Sequence, residues 1–172
     1  MKISLYIASS ADGYIAGPND DLSFLNPMQV EGQDYGYSKF INSVDTVITG
    51  RKTYEWVRAQ GIEVPHPEKR HVVLSSKQMV LPGNIEVWNQ SISALLQELE
   101  NEGAQHAFLE GGAQIIQGFL ELNAIDELIW FKVPIILGEG QPLFLKQEKQ
   151  HMLKLINAHS YSNGMQKLHY RF

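Results

Sequence analysis

Residues 46–53, with the sequence TVITGRKT, contain the pattern that decides the fold. Residues 46–49 are predicted to form a short β-strand, a glycine ends it, and a helix is predicted over 52–58. The pattern recurs, because a strand predicted at 107–109 leads through two glycines into a helix predicted at 113–121. Strands that alternate with helices in this way indicate a parallel sheet.

The rest of the chain continues the alternation. Further strands are predicted at 3–8, 71–74, 85–88 and within 125–133, and further helices at 35–43 and 91–102. The segment 152–172 is predicted to form two strands around Asn163-Gly164, the preferred centre of a two-residue hairpin turn, because both positions need positive φ. We therefore expect a three-layer α/β/α fold with a mostly parallel mixed sheet and a C-terminal antiparallel hairpin.

Composition sets limits on the function. The 172 residues predict one domain over 1–172, and the net charge of −5 argues against nucleic-acid binding. The chain has no cysteine, which excludes disulfides and a thiolate nucleophile, and its six histidines lack metal-ligand spacing, so no metal is expected. The first residues are predicted to form a strand rather than a signal peptide. No apolar run is long enough for a membrane span, so we expect a cytoplasmic protein.

The turn that follows residue 49 has the features of an anion site. Gly50 turns the chain, and the N–H groups at the helix start are free where the helix dipole is positive. Arg51 and Lys52 add positive charge, an arginine can contact phosphate through two hydrogen bonds, and Thr53 can donate a hydroxyl hydrogen bond. A plain strand-to-helix turn with solvated basic side chains is the alternative interpretation.

The second glycine turn has similar features. Gly111 and Gly112 let a ligand approach the backbone, and the helix that begins at Ala113-Gln114 directs N–H groups outward, as a pyrophosphate requires. A tight turn that needs glycine only for its geometry is the alternative. Two such helix starts in one small α/β chain favour NADP, with one turn for the 2′-phosphate and the other for the pyrophosphate. Residues that follow a third strand are candidates for the adenosine side: Leu74, Ser75 and Ser76.

Two acidic residues are candidates for catalysis. Asp12 follows the first strand and is predicted to orient a substrate or relay a proton; the alternative is a turn residue beside Gly13. Glu110 precedes the glycine pair and is predicted to face the substrate; the alternative is a hydrogen-bonding partner of that turn. The segment Gly138-Glu139-Gly140 is predicted to be a structural turn, and the three tryptophans are predicted to be packing residues.

Taken together, these segments resemble the dihydrofolate reductase superfamily, and within it the branch related to the reductase domain of the bacterial bifunctional riboflavin-biosynthesis deaminase-reductase. The segments that carry the resemblance are 10–16 (SADGYIA), 50–55 (GRKTYE), 74–76 (LSS), 110–112 (EGG) and 134–144 (PIILGEGQPLF). The resemblance implies a dihydrofolate-reductase-like fold with NADPH as hydride donor, Ala8 and Ile15 beside the nicotinamide, and a homodimer.

The resemblance also implies a reductase activity, although the sequence departs from the family pattern in two respects. The acidic residue that holds the pterin in true dihydrofolate reductases has no aligned counterpart, since Asp34 is close but shifted, and no zinc-deaminase signature is present. We therefore expect an NADPH-dependent reductase of a small heterocycle, such as a 5-amino-6-(5-phosphoribosylamino)uracil-like compound of riboflavin biosynthesis. The alternatives are a dihydrofolate reductase and a non-catalytic NADP-binding protein.

Overall fold

The computed structural model describes residues 1–83, 85–147 and 149–172. Their strands are β1 (Lys2–Ser10), β2 (Tyr14–Ala16), β3 (Thr46–Gly50), β4 (Arg70–Leu74), β5 (Ile85–Trp88), β6 (His106–Gly111), β7 (Glu127–Val133), β8 (Gln141–Pro142), β9 (Lys154–Ser160) and β10 (Gln166–Arg171). Their helices are α1 (Tyr37–Asn42), α2 (Arg51–Ala59), α3 (Ile92–Asn101) and α4 (Ala113–Glu121), with short 3₁₀ helices at Pro18–Asp20 and Ser23–Met28.

Eight strands form one mixed sheet in the order β5-β4-β3-β6-β1-β7-β10-β9. The first six strands in this order pair in parallel, and β10 pairs antiparallel with both β7 and β9. β2 and β8 pair separately as a small antiparallel ladder. The mostly parallel sheet with a C-terminal antiparallel hairpin, expected from the sequence, is therefore confirmed.

Helices cover both faces of the sheet because its strands carry apolar side chains on both sides. On one face, Leu109 of β6 belongs to the same buried cluster as Leu95 of α3 and Phe119 of α4. On the other face, the neighbouring Phe108 belongs to a cluster with Phe40 of α1. Each such side chain, fully buried, contributes roughly 1.5–3 kcal/mol through the hydrophobic effect. The expected three-layer arrangement is confirmed.

Helix α1 begins two residues later than the sequence predicted. Tyr35 and Gly36 have φ angles of 56° and 86°, in the left-handed region that a helix cannot contain. Asp34 then starts the helix, since its carboxylate accepts hydrogen bonds from the N–H groups of Gly36 at 2.8 Å and Ser38 at 3.0 Å. The predicted start at residue 35 is wrong because the pattern of apolar spacing does not reveal this turn.

The hairpin between β9 and β10 is present, but its predicted two-residue turn is wrong. Gly164 has a φ of +83°, whereas Asn163 is not among the residues of positive φ. The N–H of Tyr161 donates to the carbonyl of Met165, and the N–H of Gly164 donates to the carbonyl of Tyr161. This is a three-residue loop, in which only the last residue needs the left-handed region. The Asn163 side chain instead accepts from the Met165 N–H at 3.2 Å.

Charged and polar side chains link three strands at the end of the sheet where β7 begins. Glu127, at the start of β7, accepts from Lys2 Nζ at 2.6 Å, Ser4 Oγ at 2.6 Å and His169 Nε2 at 2.8 Å. Burial acts to raise the pKa of Glu127, but the hydrogen bonds from Lys2, Ser4 and His169 outweigh it and lower that pKa to about 2. The Glu127 carboxylate thus links β7 to β1 and β10.

We predict that Glu127→Gln lowers the free energy of unfolding by about 1–3 kcal/mol at pH 7. Because the folded-state pKa lies below the ordinary value of 4.5, the stabilisation is present above about pH 4.5 and is lost as pH falls towards 2. Urea unfolding from pH 7 to pH 2.5 measures the difference, which should shrink with acid. Glu98→Gln, on the exposed face of α3, is the control; a constant difference for Glu127→Gln would contradict the assignment.

Candidate active site

The two glycine turns lie side by side because β3 and β6 are neighbouring parallel strands. Thr49 of β3 pairs with Gly111 of β6, so both strands end at one level of the sheet. A Cβ atom placed on Gly112 would lie 3.3 Å from Thr53 Oγ1, which shows how closely the starts of α2 and α4 approach each other. The structure therefore brings the two predicted anion sites together at the carboxyl edge of the sheet, where ligands bind in open α/β sheets.

Both helices begin with free backbone amides. The N-cap residues are Gly50 for α2 and Gly112 for α4, and neither supplies a side-chain hydrogen bond. In contrast, the N-cap Ser91 of α3 accepts from the Ala94 N–H at 3.2 Å. Free N–H groups and the positive ends of two helix dipoles therefore face the same space, which favours an anion there.

Glycine is required at these turns for packing and for backbone conformation. A Cβ on Gly50 would lie 2.8 Å from Ile115 Cγ1 and 3.3 Å from the Gly111 carbonyl oxygen, so a side chain at this position would have to displace Ile115. Gly111 has a φ of +116°, which other residues rarely adopt, and its peptide bond to Gly112 is cis. The two glycine turns therefore fit each other through their backbones.

A cavity of about 740 Å³ opens beside these turns. Of the thirteen predicted cofactor residues, only Gly111 is not part of its lining. The other twelve line the cavity: Ala8, Ile15, Gly50, Arg51, Lys52, Thr53, Leu74, Ser75, Ser76, Gly112, Ala113 and Gln114. Trp56, Trp88, Asn89 and Gln90 also line it, although the sequence analysis predicted only packing roles for the tryptophans. Residues 88–90 lie where β5 ends. The rule that ligands bind beyond the carboxyl ends of parallel strands would therefore have identified them from the sequence.

Two of the predicted cofactor-binding side chains already have partners. Arg51 forms an ion pair with Glu55, one turn along α2, at 2.7 Å. Ser75 Oγ donates to the Lys77 carbonyl at 2.9 Å and accepts from the Lys77 N–H at 3.0 Å, so it shapes the turn after β4. An anion that binds Arg51 must therefore compete with the Glu55 carboxylate.

The other end of the cavity is apolar and aromatic. Its lining residues come from β1, β6, α1 and the segment 22–25: Tyr6, Leu22, Leu25, Tyr37 and Phe108. The rings of Tyr6 and Tyr37 meet edge to face with centroids 5.6 Å apart. Burial, and next the charge of Glu110, raise the pKa of Tyr37 to about 12, and its hydroxyl lies 2.9 Å from His66 Nε2. We call these five lining residues the aromatic end.

Glu110 lines the cavity beside this aromatic end. Burial raises the pKa of Glu110, and the nearby Thr49 and His71 oppose that effect only in part. A carboxyl group of this kind holds its proton at higher pH than an exposed one and can donate it to a ligand. Glu110 therefore lies in the cavity wall, and its predicted role towards a substrate stays a prediction.

Asp12 lies outside the cavity wall. Its carboxylate accepts from Ser10 Oγ at 2.6 Å, the Gly138 N–H at 2.7 Å and the Leu137 N–H at 3.1 Å. These hydrogen bonds, with that from Ser10 the strongest, lower the pKa of Asp12 to about 2. These contacts agree with the alternative interpretation of Asp12 as a turn residue. Its carboxylate holds the 137–138 loop against β1 and does not reach the cavity.

Comparisons with known proteins agree with this geometry. A family model described as the RibD C-terminal domain matches residues 1–167. The protein YwjB of Bacillus subtilis (strain 168) is 35% identical over 170 residues, which cover 98% of this chain and 97% of that protein. A crystal structure from Shewanella sp. PV-4, provisionally assigned to riboflavin biosynthesis, has a TM-score of 0.92 at 26% identity over 99% of this chain and 98% of that chain.

Two more distant structures share the fold. The diaminohydroxyphosphoribosylaminopyrimidine deaminase/5-amino-6-(5-phosphoribosylamino)uracil reductase of Thermotoga maritima has a TM-score of 0.76 at 17% identity, over 99% of this chain and 56% of that chain. A dihydrofolate reductase from Enterococcus faecalis, complexed with NADP(H), has a TM-score of 0.70 at 15% identity, over 99% of this chain and 95% of that chain. The fold is dihydrofolate-reductase-like, as the sequence motifs implied.

Residues 1–83, 85–147 and 149–172 also show two features that concern membranes and metals. No helix in these ranges combines the length and the apolar character that a bilayer span needs. No group of three or more histidine and acidic side chains gathers there in a metal-binding arrangement.

We predict that Glu110→Gln becomes more stable than the native protein as pH rises. Below the ordinary pKa of 4.5 the native carboxyl is neutral in the folded and unfolded states, and above it only the unfolded chain ionises freely. The native protein therefore loses stability as pH rises towards the folded-state pKa, whereas the amide variant does not. Thermal unfolding from pH 4 to pH 8 measures the divergence, with Glu98→Gln as control. Parallel pH curves for Glu110→Gln and the native protein would refute the buried, protonated carboxyl.

Proposed function

This chain belongs to the RibD C-terminal domain family, and on that basis and the geometry of the cavity we propose that it is an NADPH-dependent reductase of a small heterocyclic substrate. The observation that carries the proposal is the convergence of two uncapped helix starts on one cavity, with Thr53 and Gly112 in near contact. A single dinucleotide can engage both turns through its phosphates.

The residues of the cavity fit this cofactor. The amides of Ala113 and Gln114 suit the pyrophosphate, and Arg51 suits the 2′-phosphate that distinguishes NADPH from NADH. Asn89 and Gln90 add amide groups beside Ser76, at the end proposed for the adenosine. The cavity volume of about 740 Å³ lies within the range of small-molecule and cofactor sites.

The mechanism follows from what lines the cavity between its two ends. When bound, NADPH supplies two electrons and a hydrogen as hydride from C4 of its nicotinamide ring. Ala8 and Ile15 flank the space proposed for that ring, and the aromatic end holds the substrate's electrophilic carbon beside it. Glu110 donates a proton to the nitrogen or oxygen of the reduced C=N or C=O group and regains one from solvent. We assign proton delivery to Glu110 rather than Asp12, because only Glu110 lines the cavity.

The proposed substrate class is a planar nitrogen heterocycle. The Thermotoga maritima enzyme that shares this fold is named for a phosphoribosylaminouracil, and the ring of such a compound suits a cavity end lined by Tyr6, Tyr37 and Phe108. Dihydrofolate is the second candidate. Asp34 does not favour it, since that carboxylate is exposed and already accepts from the N–H groups of Gly36 and Ser38.

We also propose that the protein is a homodimer that buries β9. Every residue of this strand is exposed, and the strand forms the edge of the sheet, so its outer backbone groups have no strand beside them among the described residues. Leu155 and Ile156 expose 52% and 45% of their surface on opposite sides of the strand. A long exposed edge strand with apolar side chains is a site of association, and a second copy can cover it through its own β9.

We predict that Arg51→Ala weakens NADPH binding by about tenfold or more and leaves NADH binding nearly unchanged, because only NADPH carries the 2′-phosphate. Fluorescence titration of both cofactors measures the two affinities. Arg58→Ala is the matched control, since Arg58 lies in the last turn of the same helix and does not line the cavity. Equal weakening of NADPH and NADH by Arg51→Ala would contradict the assignment.

The proposed activity is tested with the native protein by following the reduced-nicotinamide absorbance against a panel of aminopyrimidines and pterins. Oxidation of NADPH with an aminopyrimidine supports the proposal. Turnover of dihydrofolate alone would instead identify a dihydrofolate reductase, and NADPH binding without oxidation across the panel would identify a non-catalytic NADP-binding protein.

We predict that Ile156→Lys converts a dimer to a monomer, because each copy would bury an unpaired ammonium group at the proposed β9 interface. Sedimentation velocity gives the mass in solution. Val80→Lys, at a fully exposed apolar position away from β9, should leave the dimer intact. A native protein that sediments as a monomer at all concentrations would exclude the interface.

A further inference from the structure

We infer that the Tyr37 hydroxyl binds the polar edge of the substrate ring and that His66, which lies behind Tyr37 and outside the cavity, is the positioning residue that orients this hydroxyl. The inference rests on the proposed function and deepens it, because it names the contact that sets how the ring lies beside Glu110. It derives from a series of contacts that joins the cavity wall to the 60–69 loop, the segment between α2 and β4.

The ring of Tyr37 is held firmly in the cavity wall. Tyr37 is the first residue of α1, and its N–H donates to the Asp34 carbonyl at 2.9 Å. Its ring meets that of Tyr6 edge to face, with centroids 5.6 Å apart, and lies tilted against the ring of Phe40 at 6.5 Å. Because a tyrosine side chain has only two χ angles, these contacts determine where its hydroxyl lies.

The Tyr37 hydroxyl meets a histidine from a different segment of the chain. His66 Nε2 lies 2.9 Å from this hydroxyl, and the two rings are tilted with centroids 5.7 Å apart. His66 belongs to the 60–69 loop, and no residue of that loop lines the cavity. A ligand in the cavity is therefore affected by His66 through Tyr37.

The backbone of His66 has a conformation that its neighbours hold in place. Its φ angle is 53°, in the left-handed region that residues other than glycine rarely adopt. Its carbonyl accepts from the Lys69 N–H at 2.9 Å and from His71 Nε2 at 3.1 Å. His71 is a buried residue of β4, so the second hydrogen bond ties the loop to the sheet. Rare backbone conformations that are held in this way concentrate at functional sites.

The hydroxyl of Tyr37 keeps a hydrogen-bonding function for a ligand whichever partner donates in its contact with His66. A tyrosine hydroxyl has one proton to donate and an oxygen that accepts. When the hydroxyl donates to His66 Nε2, its oxygen is free to accept from a ligand N–H. When Nε2 donates instead, the hydroxyl proton is free for a ligand carbonyl. A cyclic amide such as that of a uracil ring carries both groups on one edge, so it suits Tyr37 in either case.

The other tyrosine of the aromatic end is directed elsewhere. The Tyr6 hydroxyl donates to the Tyr35 carbonyl at 3.4 Å, and Lys167 Nζ donates to the same carbonyl at 3.0 Å. Burial raises the pKa of Tyr37, and the charge of Glu110 adds to this effect, so Tyr37 and Glu110 lie close together. A ring bound through Tyr37 would therefore have the proposed proton donor beside it.

The direct test is Tyr37→Phe, which removes the hydroxyl and keeps the ring. We expect it to lower kcat/KM for 5-amino-6-(5-phosphoribosylamino)uracil by about tenfold or more, because one hydrogen bond to the substrate is lost. Calorimetric titration with saturating NADP⁺, which carries no hydride to transfer, should show weaker binding of the same compound. NADPH affinity should not change. Tyr170→Phe, in β10 and away from the cavity, is the control. Native kcat/KM in Tyr37→Phe would overturn the inference.

The positioning role of His66 is tested with a second set of variants. His66→Ala should lower kcat/KM by about threefold to tenfold, and His66→Gln, whose amide can replace Nε2 as a partner of the hydroxyl, should restore most of the loss. In the Tyr37→Phe background His66→Ala should have no further effect, because His66 acts through that hydroxyl. Glu63→Ala, at an exposed position of the same loop, is the control. Additive losses in the double variant, or no rescue by glutamine, would refute the positioning role.

The inference and the proposed function fail in different ways. If the uracil compound is reduced equally well by the native protein, Tyr37→Phe and His66→Ala, only the inference is wrong. If the compound neither binds nor reacts while NADPH binds, the proposed substrate class and the inference are both wrong and the cofactor site stands. If NADPH does not bind, the proposed function is wrong, and titration of the compound into native and Tyr37→Phe protein without cofactor still decides whether Tyr37 contacts it.

Discussion

The parallel pairing of β3 with β6 is the constraint on which the site depends. It aligns Thr49 with Gly111, so two strands end together and two helices begin together. Glycines at the turns allow the helices to start this close, since a Cβ on Gly50 would collide with Ile115 and crowd the Gly111 carbonyl. Hydrophobic burial on both faces of the sheet fixes this register, so the free amides are held in place before any ligand arrives.

The same arrangement divides the cavity into two chemically different ends. The amides and the Arg51 side chain concentrate positive potential where the helices begin, while β1, β6 and α1 direct aromatic side chains to the other end. Glu110 stands beside the aromatic end, in the strand that leads to the glycine pair. One strand therefore carries the proposed proton donor and leads directly into the turn that is proposed to bind the pyrophosphate, so the two proposed roles are adjacent in the chain.

The sequence predicted the fold, and it predicted residues that the structure gathers at one end of a cavity, because both depend on local patterns; that these residues bind NADPH stays a proposal. A strand, a glycine and a helix start can be recognised from neighbouring residues, and parallel strands place their carboxyl ends on one edge. The aromatic end was missed because Tyr6, Tyr37 and Phe108 come from separated segments and look like ordinary core residues. Asp12 was assigned a catalytic role because a carboxylate after a strand looks the same whether it binds a ligand or, as here, the 137–138 loop.

The central claim, that both helix starts bind one dinucleotide, is tested most directly by titrating ¹⁵N-labelled protein with NADP⁺ and following backbone amide resonances. The account predicts that the amides of Lys52 and Thr53 and those of Ala113 and Gln114 shift together, with a single dissociation constant. Shifts confined to one of the two turns, or two different dissociation constants, would contradict a shared ligand.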